Sequence, residues 1–260
     1  MGAKGFFTDT TLCIGCKACE VACKQWNQLP GDGLYFTGMS YDNTGHLGSS
    51  TWRHVGFVER PVPLGGQTTG AGSFSWLMMS DVCKHCARAG CLESCPTGAI
   101  VRTEFDSVYV QPDVCNGCGY CVSACPFGVI DRREDDGRAW KCTLCYDRLR
   151  EDMVPACAKH CPTASIQYGD LVQLRARAEQ RVEDLHRRGV AEARLYGHSP
   201  EEQPGTQGLN AFFLLVDRPE VYNLPPDPVA PARNTRRSWG ALAAAAVGMA
   251  ALALGAVLSP

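Results

Sequence analysis

The sequence predicts an α+β fold made of two small, interlocked modules, followed by an apolar helix at the C-terminus. Three observations carry this prediction. All 16 cysteines of the 260-residue chain fall into four groups of four. The phrase Cys-Pro-x-Gly/Ala-x-Ile closes three of those groups, at Cys95, Cys125 and Cys161, and each copy precedes a predicted β-strand. Residues 239–258 contain no charged side chain.

The third cysteine group reads C-x-x-C-x-x-C-x-x-x-C-P, from Cys115 to Pro126. This is the spacing of bacterial [4Fe–4S] ferredoxins, in which the fourth cysteine ligates a different cluster from the first three. Gly117 and Gly119 let the loop curl closely around the inorganic sulfide. The other groups are variants of this run, so we predict four [4Fe–4S] clusters. The predicted ligands are Cys13, Cys16, Cys19 and Cys23; Cys83, Cys86, Cys91 and Cys95; Cys115, Cys118, Cys121 and Cys125; and Cys142, Cys145, Cys157 and Cys161.

Zinc sites, disulfides and a redox-inactive metal scaffold are the alternatives to iron–sulfur clusters. Zinc ribbons use two separated C-x-x-C pairs and do not need a third cysteine three residues later. Cysteines three residues apart on a tight loop are poor disulfide partners for one another. The net charge is −2, and no basic run carries interleaved aromatic residues. We therefore expect no nucleic-acid partner.

The sequence divides into a cluster domain and later segments that pack on it or extend from it. Within the cluster domain, residues 24–82 form an insertion with β-like pieces at 52–60 and 74–79, and alternating apolar residues around Asp106 predict a hairpin. The predicted divisions are 1–170 for the cluster domain, 171–218 for a helix and strands packed on it, 219–238 for a Pro-rich linker and 239–258 for a transmembrane helix.

Residues 171–189 have apolar positions at helical spacing, with Asp170 as the predicted N-cap and Gly189 as the C-cap. Short strands are predicted at 193–196 and 211–216. Residues 239–258 are long enough as a helix to cross a hydrocarbon core of about 30 Å. Alanine makes this segment only mildly hydrophobic, so a soluble or partner-buried helix is the alternative.

The group order, the widened second and fourth groups, the helix after the fourth group and the apolar tail resemble one known family. This is the iron–sulfur (beta) subunit of membrane-bound formate dehydrogenases, among the four-cluster electron-transfer subunits of molybdopterin oxidoreductases. The likeness is close at residues 5–27, which contain the first cysteine group, and at 212–224, which end Arg-Pro-Glu-Val-Tyr-Asn-Leu and are followed by Pro225. The resemblance implies an electron-transfer subunit that is not itself catalytic.

The resemblance also implies which cysteines share a cluster. In the implied nested pattern, the last cysteine of each group joins the first three of another group. The implied sets are Cys13, Cys16 and Cys19 with Cys161; Cys142, Cys145 and Cys157 with Cys23; Cys83, Cys86 and Cys91 with Cys125; and Cys115, Cys118 and Cys121 with Cys95.

The implied partners are a molybdopterin-type catalytic alpha subunit, holding molybdenum or tungsten, and a membrane cytochrome b gamma subunit. In relatives the catalytic partner often carries the export signal, which implies that the cluster domain lies on the extracytoplasmic side. Residues 1–12 contain no apolar signal or twin-arginine stretch, which agrees with export alongside a partner and equally with a cytoplasmic protein. Arginines before the apolar tail favour the cytoplasmic alternative.

The same chain of clusters also suits a polysulfide, nitrate or dimethyl-sulfoxide reductase, or a hydrogenase. His85 and His160 lie inside cysteine groups, but sixteen cysteines already supply all the ligands, so we expect these histidines to lie beside clusters or at the surface. Lys17, Lys84 and Lys159 also lie between predicted ligands. Each lysine either raises a cluster's reduction potential or simply faces solvent.

Overall fold

The computed structural model describes residues 2–31, 33, 36–38, 41–60 and 75–258, and it has a mixed α and β architecture. Position 74, where the second predicted piece of the insertion begins, lies outside the described residues. The strands are β1 (Lys4–Asp9), β2 (Arg53–Arg60), β3 (Ser75–Val82), β4 (Ile100–Arg102), β5 (Val108–Val110), β6 (Asp131–Arg132), β7 (Ala139–Trp140), β8 (Ile166–Asp170), β9 (Arg194–Tyr196) and β10 (Ala211–Leu215). The α-helices are α1 (Ala18–Asn27), α2 (Gly90–Glu93), α3 (Tyr120–Ser123), α4 (Tyr146–Arg150), α5 (Ala156–Lys159), α6 (Leu171–Arg187) and α7 (Thr235–Leu258).

The largest sheet has the order β8-β1-β10-β9 and joins distant parts of the sequence. Strand β1 pairs with β10 in parallel, with Phe6 opposite Ala211, and with β8 in the antiparallel direction. All five residues of β10 are buried, as expected for a strand that is apolar on both faces. Phe7 and Phe212 stack with their ring centres 5.4 Å apart. This sheet therefore holds the first cysteine group against the segment that follows the fourth.

Helix α6 begins where the sequence predicts. The Asp170 carboxylate accepts hydrogen bonds from the backbone N–H groups of Val172 and Gln173, at 3.1 and 3.4 Å. Its buried positions recur at helical spacing and pack on the sheet, and Gly189 follows the helix with a positive φ of 86°. The buried residues are Leu171, Leu174, Ala178 and Leu185.

The insertion contributes a long antiparallel hairpin. Strands β2 and β3 pair along their full length, from Arg53 opposite Val82 to Arg60 opposite Ser75. Val55 and Val82 are buried on one face of this hairpin, and Leu77 and Met79 are buried on the other, so both faces contribute to the core. The predicted hairpin near Asp106 is also present, as β4 paired with β5.

The predicted Pro-rich linker is partly packed onto the fold. Pro219–Tyr222 and Pro231–Asn234 form short 3-10 helices, and Tyr222 and Leu224 are buried. The Tyr222 hydroxyl accepts a hydrogen bond from the Val216 N–H at 3.4 Å, which attaches this stretch to the end of β10. The segment 219–224 therefore differs from an extended, free linker because its apolar side chains find a place in the core.

The C-terminal segment forms the helix α7, and its described side chains from 238 to 254 are exposed. The predicted transmembrane helix is not confirmed. In the part of the chain that the structure describes, no helix combines the length and the apolar character needed to cross a membrane.

Candidate metal centres

Twelve of the sixteen cysteines surround three spaces inside the molecule, four cysteines to each space. We name these the first, second and third sites. The first site is lined by Cys13, Cys16, Cys19 and Cys161; the second by Cys23, Cys142, Cys145 and Cys157; and the third by Cys83, Cys86, Cys91 and Cys125.

The remaining four cysteines form a fourth site near the surface. Burial raises the pKa of the Cys121 thiol to about 11, and the neighbouring Cys115, Cys95 and Cys118 contribute to that rise. The four sulfur atoms are therefore close enough to interact electrostatically. Cys118 is exposed at this site, as Cys16 is at the first.

Each site combines the first three cysteines of one group with the last cysteine of another. The loops that carry the first three turn tightly, and glycine permits the turn in the first and third groups, at Gly15 and Gly117. Gly117 has φ +74°, and a β-carbon there would lie 2.5 Å from the Gly137 carbonyl oxygen. The structure therefore gathers the cysteines in the sets that the family resemblance implies, while ligation itself stays a prediction.

Several backbone N–H groups donate to the cysteine sulfur atoms. Ala139 donates to Cys115 Sγ at 3.4 Å, and Ile166 donates to Cys161 Sγ at 3.5 Å. Such bonds favour the thiolate over the thiol because they stabilise negative charge on sulfur. They also orient the sulfur atoms, as outer hydrogen bonds do around metal sites.

Burial opposes ionisation of these thiols. Burial raises the pKa of the Cys91 thiol to about 12, although the nearby Lys141 lowers it in part. Burial likewise raises the pKa of the Cys19 thiol to about 12, with Arg53 and Ser80 acting in the opposite direction. A buried thiol gives up its proton when a cation replaces it. The sites therefore suit thiolates bound to iron.

The spacing of the donors distinguishes a cluster from a single metal ion. Zinc bound by four cysteines holds their sulfur atoms about 2.3 Å away, so the four thiolates converge on one point. Across the described ranges, no three Cys, His, Asp or Glu side chains gather closely enough to hold one ion. The four cysteines of each set are instead distributed around their site, which fits a group of several metal atoms.

His85 provides further evidence that an iron–sulfur cluster fits the third site. It is buried and lines that site, and its Nδ1 accepts the Val108 N–H at 3.0 Å. The ring proton therefore lies on Nε2, which has no hydrogen-bond partner within the described part of the chain. Burial and the nearby cations Lys141 and Arg102 hold the pKa of His85 well below its usual value. A neutral ring with an unused N–H donor fits a neighbouring cluster sulfur.

Two buried cations that sequence reasoning did not single out lie beside these sites. Arg53 is 1 % exposed, and its Nη2 donates to Cys157 Sγ at 3.2 Å. Lys141 is 2 % exposed and donates to the carbonyls of Val108 and Cys142. Burial lowers the pKa of Lys141, but Cys83, Cys91 and Cys142 raise it above its usual value. In the sequence, the position of Lys141 next to Cys142 was the only feature that could have indicated either of these two cations beside a cysteine site.

The three lysines that the sequence did single out differ in their surroundings. Lys84 is buried, pairs with Asp81 and lies 5.1 Å from the centre of the Phe127 ring. Lys17 lies 3.7 Å from a carboxylate oxygen of Glu20, and Lys159 is exposed. Lys84 lines the third site and Lys17 lines the first, so both fit the expectation of a cation beside a cluster, whereas the solvent-facing alternative suits Lys159.

Comparison with known proteins agrees with these sites. Two family models, each described as a 4Fe-4S dicluster domain, match residues 12–99 and 74–171. The protein is therefore an iron–sulfur protein of the ferredoxin type with two dicluster domains, and its cofactors are four 4Fe–4S clusters.

Individual relatives narrow this class. The chain is 39 % identical to the formate dehydrogenase iron-sulfur subunit of Haemophilus influenzae, over 96 % of this chain and 77 % of the relative. It is 40 % identical to the nitrate-inducible formate dehydrogenase iron-sulfur subunit of Escherichia coli, over 85 % and 71 %. It is also 33 % identical to a component of the anaerobic dimethyl sulfoxide reductase of Escherichia coli, over 66 % and 75 %. The chain belongs to the family of formate dehydrogenase iron–sulfur subunits, and it is an electron-transfer subunit without a catalytic role of its own.

Proposed function

We propose that this chain relays single electrons from a formate-oxidising catalytic subunit, which holds a molybdenum or tungsten pterin, to a membrane cytochrome b subunit or quinone. The observation that carries this proposal is the series of four cysteine sites along one framework. The named relatives support formate as the electron source. The dimethyl sulfoxide reductase relative supports the second candidate, the same relay serving another molybdopterin oxidoreductase.

The proposed ligands follow the four sites. The first three cysteines of each group bind one cluster, and the fourth reaches across to the cluster of its partner group. This proposal is supported by the spaces that the same cysteines line. When bound, each cluster accepts and passes on one electron at a time. The residues of the chain hold the sulfur ligands, exclude water and set the charge around each site.

The sites follow one another in a series, first to fourth. Arg53 lies near Cys19 of the first site and Cys157 of the second. Lys141 lies near Cys142 of the second site and Cys83 of the third. Cys91 of the third site and Cys121 of the fourth influence each other electrostatically. Exposed Cys16 and Cys118 mark the two ends of the series, where partner subunits exchange electrons with this chain.

The proposed domain organisation keeps 1–170 as the cluster domain, with 171–218 completing its sheet, 219–238 leading away from it and 239–258 meeting the membrane. The uncharged sequence of the last segment supports membrane contact. If this is correct, the full chain expressed without its partners remains in the membrane fraction after a carbonate wash, whereas a chain ending at Asn234 is released. Release of both chains would contradict the membrane proposal.

The side of the membrane is proposed by family resemblance. We infer that the cluster domain is extracytoplasmic and is exported with its catalytic partner. Protease added to intact spheroplasts should then digest the cluster domain. Digestion that begins only after the spheroplasts are lysed would place the domain in the cytoplasm instead.

Formate added to the purified complex tests the function. The complex is isolated through this chain, formate is added, and low-temperature EPR is recorded. Signals of reduced [4Fe–4S] clusters that appear with formate support the proposal. If signals appear only with dithionite, formate is not the electron source, and the co-purified catalytic subunit then identifies the substrate class.

A further inference from the structure

Arg53 is a buried charge without an opposing carboxylate. It lies at the start of β2, within the insertion, and is 1 % exposed. Across the described residues, no Asp or Glu side chain forms an ion pair with it. A buried charge is costly unless it is paired. Burial lowers the pKa of Arg53, and the nearby Cys157, Cys19 and Cys142, which are thiolates when they ligate a cluster, raise it above its usual value.

Arg53 contacts the second site directly. Its side chain lines that site together with the four cysteines, and its Nη2 donates to Cys157 Sγ at 3.2 Å. Its Nε is also buried, and it has no hydrogen-bond partner among the described residues. Arg53 therefore offers the second site a positive charge, one bond to a ligand sulfur and one unused N–H donor.

Arg53 also reaches the first site, through Ser80. Its Nη1 donates to the Ser80 carbonyl oxygen at 3.1 Å and lies 3.5 Å from Ser80 Oγ. Ser80 Oγ lies 3.2 Å from Cys19 Sγ. A deprotonated cysteine accepts hydrogen bonds only, so the Ser80 hydroxyl donates to Cys19. The guanidinium orients and polarises this hydroxyl from its other side.

We propose that Arg53 is a shared positioning residue that raises the reduction potentials of the first and second clusters together. This inference rests on the proposed ligand sets. Each reduction adds one negative charge to a cluster, and a fixed cation nearby stabilises that charge. Because one guanidinium serves both sites, the two potentials stay similar, and electrons pass between them without a large energy step.

The test is a dithionite titration of the purified complex, followed by low-temperature EPR, with Arg53→Met compared with the unchanged chain. Arg60→Met is the matched control, because Arg60 lies on the same strand and pairs with Asp217 at 2.9 Å. We expect two of the four one-electron steps to move to lower potential in R53M. The expected shift is at least about tenfold in the ratio of reduced to oxidised cluster, or about 59 mV for one electron. The other two steps, and all four in R60M, stay in place.

Two further variants separate the effect of the Arg53 charge from the effect of the hydrogen bonds that connect Arg53 through Ser80 to Cys19. Arg53→Lys keeps the charge and loses the planar fork, so its shifts should be smaller than those of R53M. Ser80→Ala should lower the potential of the first cluster alone. If R53M does not assemble four clusters by iron content, S80A and R53K decide the test. The steps are assigned by their loss in Cys16→Ala for the first site and Cys145→Ala for the second.

The proposal is overturned if R53M assembles four clusters and its potentials match the unchanged chain, if all four steps move equally, or if S80A leaves the first step in place. If the proposed ligand sets are wrong, the result is a different one: Cys16→Ala or Cys145→Ala leaves four intact clusters. The titration does not depend on the proposed role of formate, because dithionite supplies the electrons.

Discussion

At the scale of single residues, His85 makes a specific prediction. Its Nδ1 accepts the Val108 N–H, and its Nε2–H faces no protein partner in the described structure. His85→Phe removes both interactions and leaves the buried Val108 N–H unsatisfied, which costs about 1–3 kcal/mol. We expect a lower urea midpoint at equal iron content and a lower reduction potential for one cluster.

Two control variants belong with this prediction. His160 is exposed, and its Nδ1 donates to the Ala156 carbonyl, so His160→Phe should change neither the urea midpoint nor the potential. His85→Gln offers an acceptor and a donor again and should recover part of both losses. An unchanged potential in H85F would show that Nε2 does not meet the cluster.

The residues that sequence reasoning found differ in kind from those it missed. Most cysteines of a group lie a few positions apart, with one wider gap between Cys145 and Cys157, so their grouping in the sequence singles out all sixteen as predicted ligands. Arg53 is separated by 104 residues from Cys157, whose sulfur it contacts. Lys141 and Cys83 are likewise distant in sequence. A contact made by tertiary packing leaves no local pattern, so the contacts of Arg53 and Lys141 with these distant cysteines were not predictable.

At the scale of elements, the start of α6 tests the local interpretation of the sequence. Asp170 satisfies two backbone N–H groups that the first helical turn leaves without partners. Asp170→Ala should therefore cost about 1 kcal/mol, and Asp170→Asn should cost less. Urea unfolding at equal iron content measures both. Equal stability of D170A and the unchanged chain would mean that solvent replaces the cap.

In the insertion, the strands could be predicted from the sequence, but the register of their pairing could not. Its two β-like pieces were predicted, and they form the hairpin of β2 and β3. The consequence of the pairing was not predictable, because a shift of register by one residue turns every side chain to the opposite face. In the observed register, Arg53 lies opposite Val82 and is directed toward the cysteine sites. The insertion therefore supplies part of the electrostatic environment of the sites.

At the scale of the whole molecule, the cysteine sets tie distant parts of the chain together. Cys23 belongs with Cys142, Cys145 and Cys157, and β1 pairs in parallel with β10. Parallel pairing between strands so far apart has no local signature, so the sheet order was not predictable from spacing or periodicity. Family resemblance implied the cysteine sets, because related chains share the same tertiary connections.

The central claim is that the four clusters work in series, and breaking the second site tests it most directly. Cys145→Ala removes one ligand from that interior site. In the purified complex, we predict that formate then reduces only the clusters on one side of the break, while dithionite reduces every remaining cluster seen by EPR. If formate still reduces all remaining clusters as fast as in the unchanged complex, the clusters do not form the proposed series.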